Sequence, residues 1–318
     1  MKMMSKLATV TALTGGILFG ACGIAAAQSA AITPTMTATL NAAAATEESL
    51  AAAVRALVIE NPTAAATIAA AAAKINPGAA AAIASSAATA APDFASTIAA
   101  SVVTAVPTSA EAVTGSVVTA VPTAAAQIAV SVTTASQNSA AATGTASTTS
   151  PAAIAAAATK ASPNSALTIA ASVSRANPQA ASQIASSVAV QAAASGSTAT
   201  PGLIAAVSAR SAGVDQIAVV RAVSNATNIF PANVATQSAG AANGQLINSI
   251  VNQSAQTVQT AQNDAENGSS ANQQADTSVE TADANQQTGG DVGDTGGNDD
   301  AATENEDGSA AQDDASPA

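Results

Sequence analysis

Prolines recur at Pro62, Pro77, Pro92, Pro107 and Pro122, always fifteen residues apart, and Pro163 and Pro178 repeat the step. Pro201 and Pro231 stand two such steps apart. A fixed short period means stacked copies of one supersecondary unit, since no single copy buries enough surface to stand alone. Proline also stops a helix, because it disfavours the helical conformation in the residue before it.

Within the unit, apolar residues keep register. With the proline as position zero, position six holds Ile68, Ile98, Val113, Ile128, Ile169 and Ile184. Position ten holds Val102, Val117, Val132, Val173 and Val188, and position three is commonly Ala, as in Ala65, Ala95 and Ala166. Offsets of three, six or seven, and ten share one face of a 3.6-residue helix. Alanine elsewhere favours helix. Asn61, Asn76 and Asn177 precede their prolines, which reads as an N-cap followed by proline at the first helical position. Thr46 with Glu47 and Glu48 opens the first unit in the same way, with negative charge near the positive helix end.

The spacing therefore predicts an all-α fold of short antiparallel helices in a 15-residue, proline-punctuated repeat, forming an α-solenoid-like array. Two buried Ile or Val side chains contribute roughly 1.5–3 kcal/mol each. Ordering a residue costs on the order of 1–2 kcal/mol. Each helix must therefore lean on neighbours, and small side chains let the axes approach closely. The competing reading is a β-solenoid, for which Ser101-Val102-Val103-Thr104 and Ser116-Val117-Val118-Thr119 are suitable segments. The helical period of the apolar positions and the abundance of alanine weigh against it. Over Glu47 to Val190 the pattern resembles α-helical repeat proteins in general, and such a likeness implies fold and no function.

The sequence divides into five segments. Residues 1–27 are a signal peptide and 28–45 a disordered or flexible segment. Residues 46–193 are alanine-rich repeats with a weak linker over 138–150, where the expected proline is replaced by Gln137. Residues 194–262 are degenerate repeats, in which Asp215 caps a helix carrying Ile217, Val219, Val220 and Val223, and Gln245 to Gln262 forms a last polar helix. Residues 263–318 are a disordered acidic tail. That tail carries fourteen of the twenty acidic residues and no Lys or Arg, so most of the net charge of −12 resides there. Low hydrophobicity with one sign of charge predicts disorder and repulsion of nucleic acid and anionic lipid.

The amino terminus has the order of a secretory signal: Lys2 and Lys6, an apolar stretch from Leu7 to Ile24, then Ala25-Ala26-Ala27. Cleavage between Ala27 and Gln28 is expected, giving an exported protein, periplasmic or extracellular, in a bacterium. A second route stays open. Leu18-Phe19-Gly20-Ala21-Cys22 has the form of a loose lipobox with Phe19 out of pattern, and lipidation at Cys22 makes the protein an outer-membrane lipoprotein. Membrane attachment is expected only in that case.

The composition narrows the chemistry. Histidine, tryptophan and tyrosine are absent, and Cys22 is the one thiol. Imidazole-based catalysis and most metal sites fall away, as does aromatic stacking on bases. No nucleophile elbow, Walker loop or dinucleotide fingerprint occurs. Gly289-Gly290-Asp291-Val292-Gly293-Asp294 has the wrong spacing for a calcium loop, and cation binding or adhesion through the tail is a subordinate reading. Lys74 and Lys160 read as cations at negative helix ends. Asn225, Asn252 and Asn267 begin glycosylation-type triplets that read as chance matches. The expectation is a non-enzyme with no catalytic, cofactor or metal residues. It has no nucleic-acid or evident small-molecule ligand. Its role is structural, scaffold or interaction, toward an unidentified protein or envelope partner or a copy of itself.

Overall fold

A computed structural model of the chain describes residues 31–287 apart from 145, 146 and 148. The signal cleavage pair Ala27 and Gln28, Cys22 and the glycine–aspartate run after residue 288 lie outside the described residues.

The proline-led units are helical. Seven of them open with a three-residue 3-10 turn beginning at the proline, at Pro62, Pro77, Pro92, Pro107, Pro122, Pro163 and Pro178. Each turn leads straight into an α-helix. These are α3 (Ala65–Ile75), α4 (Ala80–Ala90), α5 (Ala95–Ala105), α6 (Ala110–Ala120), α7 (Ala125–Thr143), α9 (Ala166–Ala176) and α10 (Ala181–Ala194); α2 (Glu47–Glu60) comes before the first turn, and α8 (Pro151–Ala161) opens on Pro151 without one. They are preceded by α1 (Pro34–Ala43) and followed by α11 (Pro201–Ala212), α12 (Gln216–Thr227), α13 (Pro231–Gln237) and α14 (Ala241–Gln287). No strand occurs among the described residues, and both segments suited to a β-solenoid are helical.

The residue before each proline joins two helices through its backbone. It takes φ near −134° with ψ of about 70–90°, as at Ala91 (−134°, 74°) and Asn76 (−133°, 88°). Its N–H closes the preceding helix, as in Ala91 N to Ala87 O at 2.9 Å. Its carbonyl opens the next turn, as in Phe94 N to Ala91 O at 3.1 Å. Asn, Ala, Val and Ser all serve there, because the side chain is not needed. The expected asparagine caps are corrected accordingly. Asn76 does accept from Ala79 N (3.3 Å), whereas Asn61 and Asn177 turn their amides back onto Leu57 O (3.3 Å) and Val173 O (3.1 Å). The N–H they were expected to cap is already bonded to their own carbonyl.

Helices two apart in sequence pack side by side, and consecutive helices pack across. The even helices α2 to α12 form one layer and the odd helices α3 to α11 another. Position six points between the layers: Ile68, Ile83, Ile98, Val113, Ile128, Ile169 and Ile184 are fully buried, together with the alanines at position three. The two layers differ in their other face. In α4 burial is confined to one stripe, Ala80, Ile83, Ala84, Ala87 and Ala88, while α3 is buried continuously from Ala65 to Ala73 and α5 from Ala95 to Val103. A third layer accounts for this: α14 lies across α3, α5, α7, α9 and α11.

Three expectations are corrected. Residues 34–43 of the segment expected to be flexible form α1, capped by Thr33 Oγ1 on Met36 N (3.3 Å), and its Leu40 is buried against the first repeats. The linker expected over 138–150 is helical as far as Thr143, because Gln137 leaves no proline to stop α7. Gly144, at φ 65°, ends it instead. Over 263–287 the expected disordered tail is helix, the continuation of α14, whose Ala265, Ala271 and Ala275 are buried. Its alanines and glycine find a matching surface on the odd layer, a partner invisible in local composition. Asp215 caps α12 as expected, accepting from Ile217 N at 3.0 Å, with Val219, Val220 and Val223 buried and Ile217 exposed.

Because Ile98 is fully buried in the core, Ile98→Ala is expected to destabilise the array by about 2–5 kcal/mol. Equilibrium denaturation in urea, followed by helical circular dichroism, measures it.

Candidate functional site: the seat of the C-terminal helix

The odd helices present positions four, five, eight, nine and twelve of their units to α14. These lie a turn apart on the face opposite the core. Apart from Val130 in α7 and Leu167 in α9 these are small or polar, so the α14 backbone comes close.

Position twelve supplies cations. In α3, Lys74 donates to Asn272 O at 3.0 Å and pairs with the Asp276 carboxylate. In α9, Arg175 donates to Ser254 Oγ at 3.3 Å and to Val251 O at 3.4 Å. Position nine supplies hydroxyls: in α7, Ser131 donates to Ala261 O at 3.0 Å. Positions four and five of α5 and α7 converge on one carboxylate. Asp264 accepts from Ser96 Oγ (2.7 Å) and Gln127 Nε2 (2.6 Å) through one oxygen, and from Thr97 Oγ1 (3.4 Å) through the other. Hydrogen bonds to an ionised carboxylate are the strong ones. The Lys74–Asp276 pair is more exposed, and such pairs contribute about 0–1 kcal/mol. Thr67 and Ser172, at positions five and nine of α3 and α9, are buried with no partner for their hydroxyls.

The helix answers with a period of its own. Ile247, Ser254, Ala261, Gly268 and Ala275 stand seven residues apart and are all buried. A β-carbon added at Gly268 meets Ala100 Cβ and Ser101 N at 2.9 Å, so that position admits glycine alone. Seven helical residues rise about 10.5 Å. Side-by-side helices sit about 8–10 Å apart. One turn pair of α14 therefore spans one odd helix. From Arg175 on Val251 to Lys74 on Asn272, α14 advances 21 residues while passing from α9 to α3. Over its 47 residues it extends about 70 Å.

Lys74 was expected to serve the end of its own helix. It does lie in the last turn of α3, and it also reaches across to α14. Sequence reasoning missed Asp264, Gln127, Ser131, Arg175 and Gly268 as a set. The signal was the seven-residue spacing of small residues from Ser254 to Ala275, in a stretch whose polarity reads as tail.

Comparison with protein-family models, curated proteins and solved structures returns no match. The chemistry must therefore be read from the fold itself. Among the described residues no group of three or more His, Cys, Asp and Glu side chains comes together to hold a metal. No described helix is long and apolar enough to cross a membrane. What the arrangement does chemically is recognise a helix, through small side chains for approach, hydroxyls and cations for backbone carbonyls, and one amide–hydroxyl cluster for a carboxylate.

Two substitutions separate these contributions. Asp264→Ala strands Ser96 and Gln127 and is expected to cost about 1–3 kcal/mol. Gly268→Leu is expected to lift α14 off α5 and α7 with the repeats intact. Amide hydrogen exchange, rising over residues 254–276 and unchanged in α4 and α6, measures both.

Proposed function

We propose that this chain is an exported, non-enzymatic helical-repeat protein that works as a scaffold or interaction module in the bacterial envelope or the extracellular space. One observation carries the reading. The array presents long, shallow faces of small side chains, and the chain's own last helix shows that such a face recognises a helix. Solenoids use extended surfaces of this kind for partners.

Export is supported by the order of Lys2, Lys6, the apolar stretch and Ala25-Ala26-Ala27. The absence of imidazole, and of a thiol beyond Cys22, supports a role without catalysis. The acidic run after residue 287 adds charge of one sign, which repels anionic surfaces.

Expressed in a bacterium, the protein is expected outside the cytoplasm with Gln28 as its first residue. N-terminal sequencing after cell fractionation checks this. Retention in the cytoplasm with the leader intact removes the export reading, and palmitate labelling at Cys22 replaces it with the lipoprotein form. Robust turnover by the purified chain overturns the non-enzymatic role.

A further inference from the structure

The tightest contact of the inner seat holds a chemically weak pair of residues. Gly268 faces α5 so closely that a β-carbon on it would stand 2.9 Å from Ala100 Cβ and from Ser101 N. The residue before it is Asn267, partly buried on the same turn of α14. An asparagine amide is attacked most readily by the next backbone nitrogen when that residue is glycine, since no side chain stands in the way. The glycine that packing demands therefore also leaves Asn267 open to its own backbone.

Seating holds this reaction off. In a helix Gly268 N–H is bonded to the carbonyl four residues back, and the helical ψ of Asn267 keeps Cγ away from that nitrogen. Off the seat this part of α14 has little to keep it helical. Asn263, Asn267, Gly268, Ser269, Ser270 and Asn272 are weak helix formers, and no large apolar residue lies among them. The odd layer supplies what they lack. Ser96, Thr97 and Gln127 hold Asp264 one turn before Gly268, and Lys74 holds Asn272 O one turn after it and Asp276 beyond.

We infer that Asn267 is a modification site gated by the seat: when α14 lifts from α5, Asn267 deamidates, and the modified helix does not reseat. Gly268 N attacks Asn267 Cγ. The bond from Cγ to the side-chain nitrogen breaks, and ammonia leaves with the proton from Gly268 N. Asn267 is not fully buried, so solvent water reaches the cyclic imide and opens it. Opening at Cγ gives aspartate. Opening at the backbone carbonyl gives an isoaspartyl link, in which the main chain runs through the former side chain. The sum is amide and water to carboxylate and ammonia, with nothing oxidised or reduced. Neither product fits as asparagine did. The isoaspartyl link adds a methylene to the backbone just before Gly268, so Ala275 and Asp276 lose the register that sets them on the odd layer and on Lys74. The aspartate stands one turn from Asp264, where like charges repel.

A second Asn–Gly pair in α14 serves as an internal standard. Asn243 donates its side-chain amide to Gln237 O (3.1 Å) and Ala239 O (2.9 Å), and a β-carbon on Gly244 meets nothing within 4 Å. That pair lies in the first turn of α14, so lifting the helix from α5 leaves it as it was.

The test follows both asparagines by peptide mass spectrometry in the full-length protein at neutral pH: folded, folded with Asp264→Ala, and unfolded in guanidinium chloride. Asn267 is expected to react about fivefold or more faster in Asp264→Ala than in the unaltered protein, toward the unfolded rate. Asn243 is expected to react alike in both folded proteins. If Asp264→Ala does not fold, Ser96→Ala, which removes one donor to the carboxylate, takes its place with a change in the same direction. Modified protein, separated by its added charge, is expected to show faster amide exchange over residues 269–276, with α4 and α6 unchanged. Equal rates at Asn267 with and without the substitution overturn the gating. So does acceleration of Asn243 together with Asn267, which means general unfolding. Modified and unmodified protein that exchange alike overturn the one-way release. None of these results bears on export or turnover, so the proposed function stands or falls separately.

Discussion

The structure depends on how closely helix backbones approach when the side chains between them are alanine. Alanine buries little area, so each contact is weak and must be made many times at short range. One to three Ile or Val side chains per unit fill the core, and small residues elsewhere let a third layer lie close. The pitch relation between α14 and the odd layer follows. Small-residue helices set an interaxial distance near that of a seven-residue helical rise, so one spacing satisfies every crossing. A bulkier odd layer would spread the helices and put the α14 contacts out of step.

How much of this is legible in sequence depends on the range of the interaction. The proline period, the core positions and the Asp215 cap are decided within one unit, and the structure has them where the pattern puts them. The asparagine caps fail for a local reason. The backbone conformation before each proline already pairs the N–H that the side chain was expected to take. The errors at 138–143 and 263–287 share another cause. Polar, alanine-rich sequence is compatible with both coil and helix, and the choice is made by the surface it meets. Asp264 reads as one more acidic residue of a tail until Ser96, Thr97 and Gln127 are brought around it. The even and odd units are also nearly alike in their outer positions. Nothing in a single unit announces which face is covered.

The seating of α14 changes the energetics of the array. In an ordinary solenoid each repeat contacts its neighbours alone, and stability is a nearest-neighbour sum. Here one helix touches α3, α5, α7, α9 and α11. The Lys74–Asp276 contact joins residues 202 apart in sequence. Opening any inner repeat therefore disturbs a helix shared by the others, and the array gains cooperativity that local stacking lacks.

The order of assembly follows from the same asymmetry. Stacking of consecutive units is local and fast, whereas the full α14 seat exists only once the five odd helices α3 to α11 stand at the right spacing. The long helix is also poor in large apolar residues, so it has little reason to collapse early on an incomplete array. The inner face thus stays open until the repeats are formed and then closes over its full length. The outer face has the same positions and the same small side chains, and it has no such helix within the described residues. The covered face makes the array rigid, and the uncovered one is held in register by it.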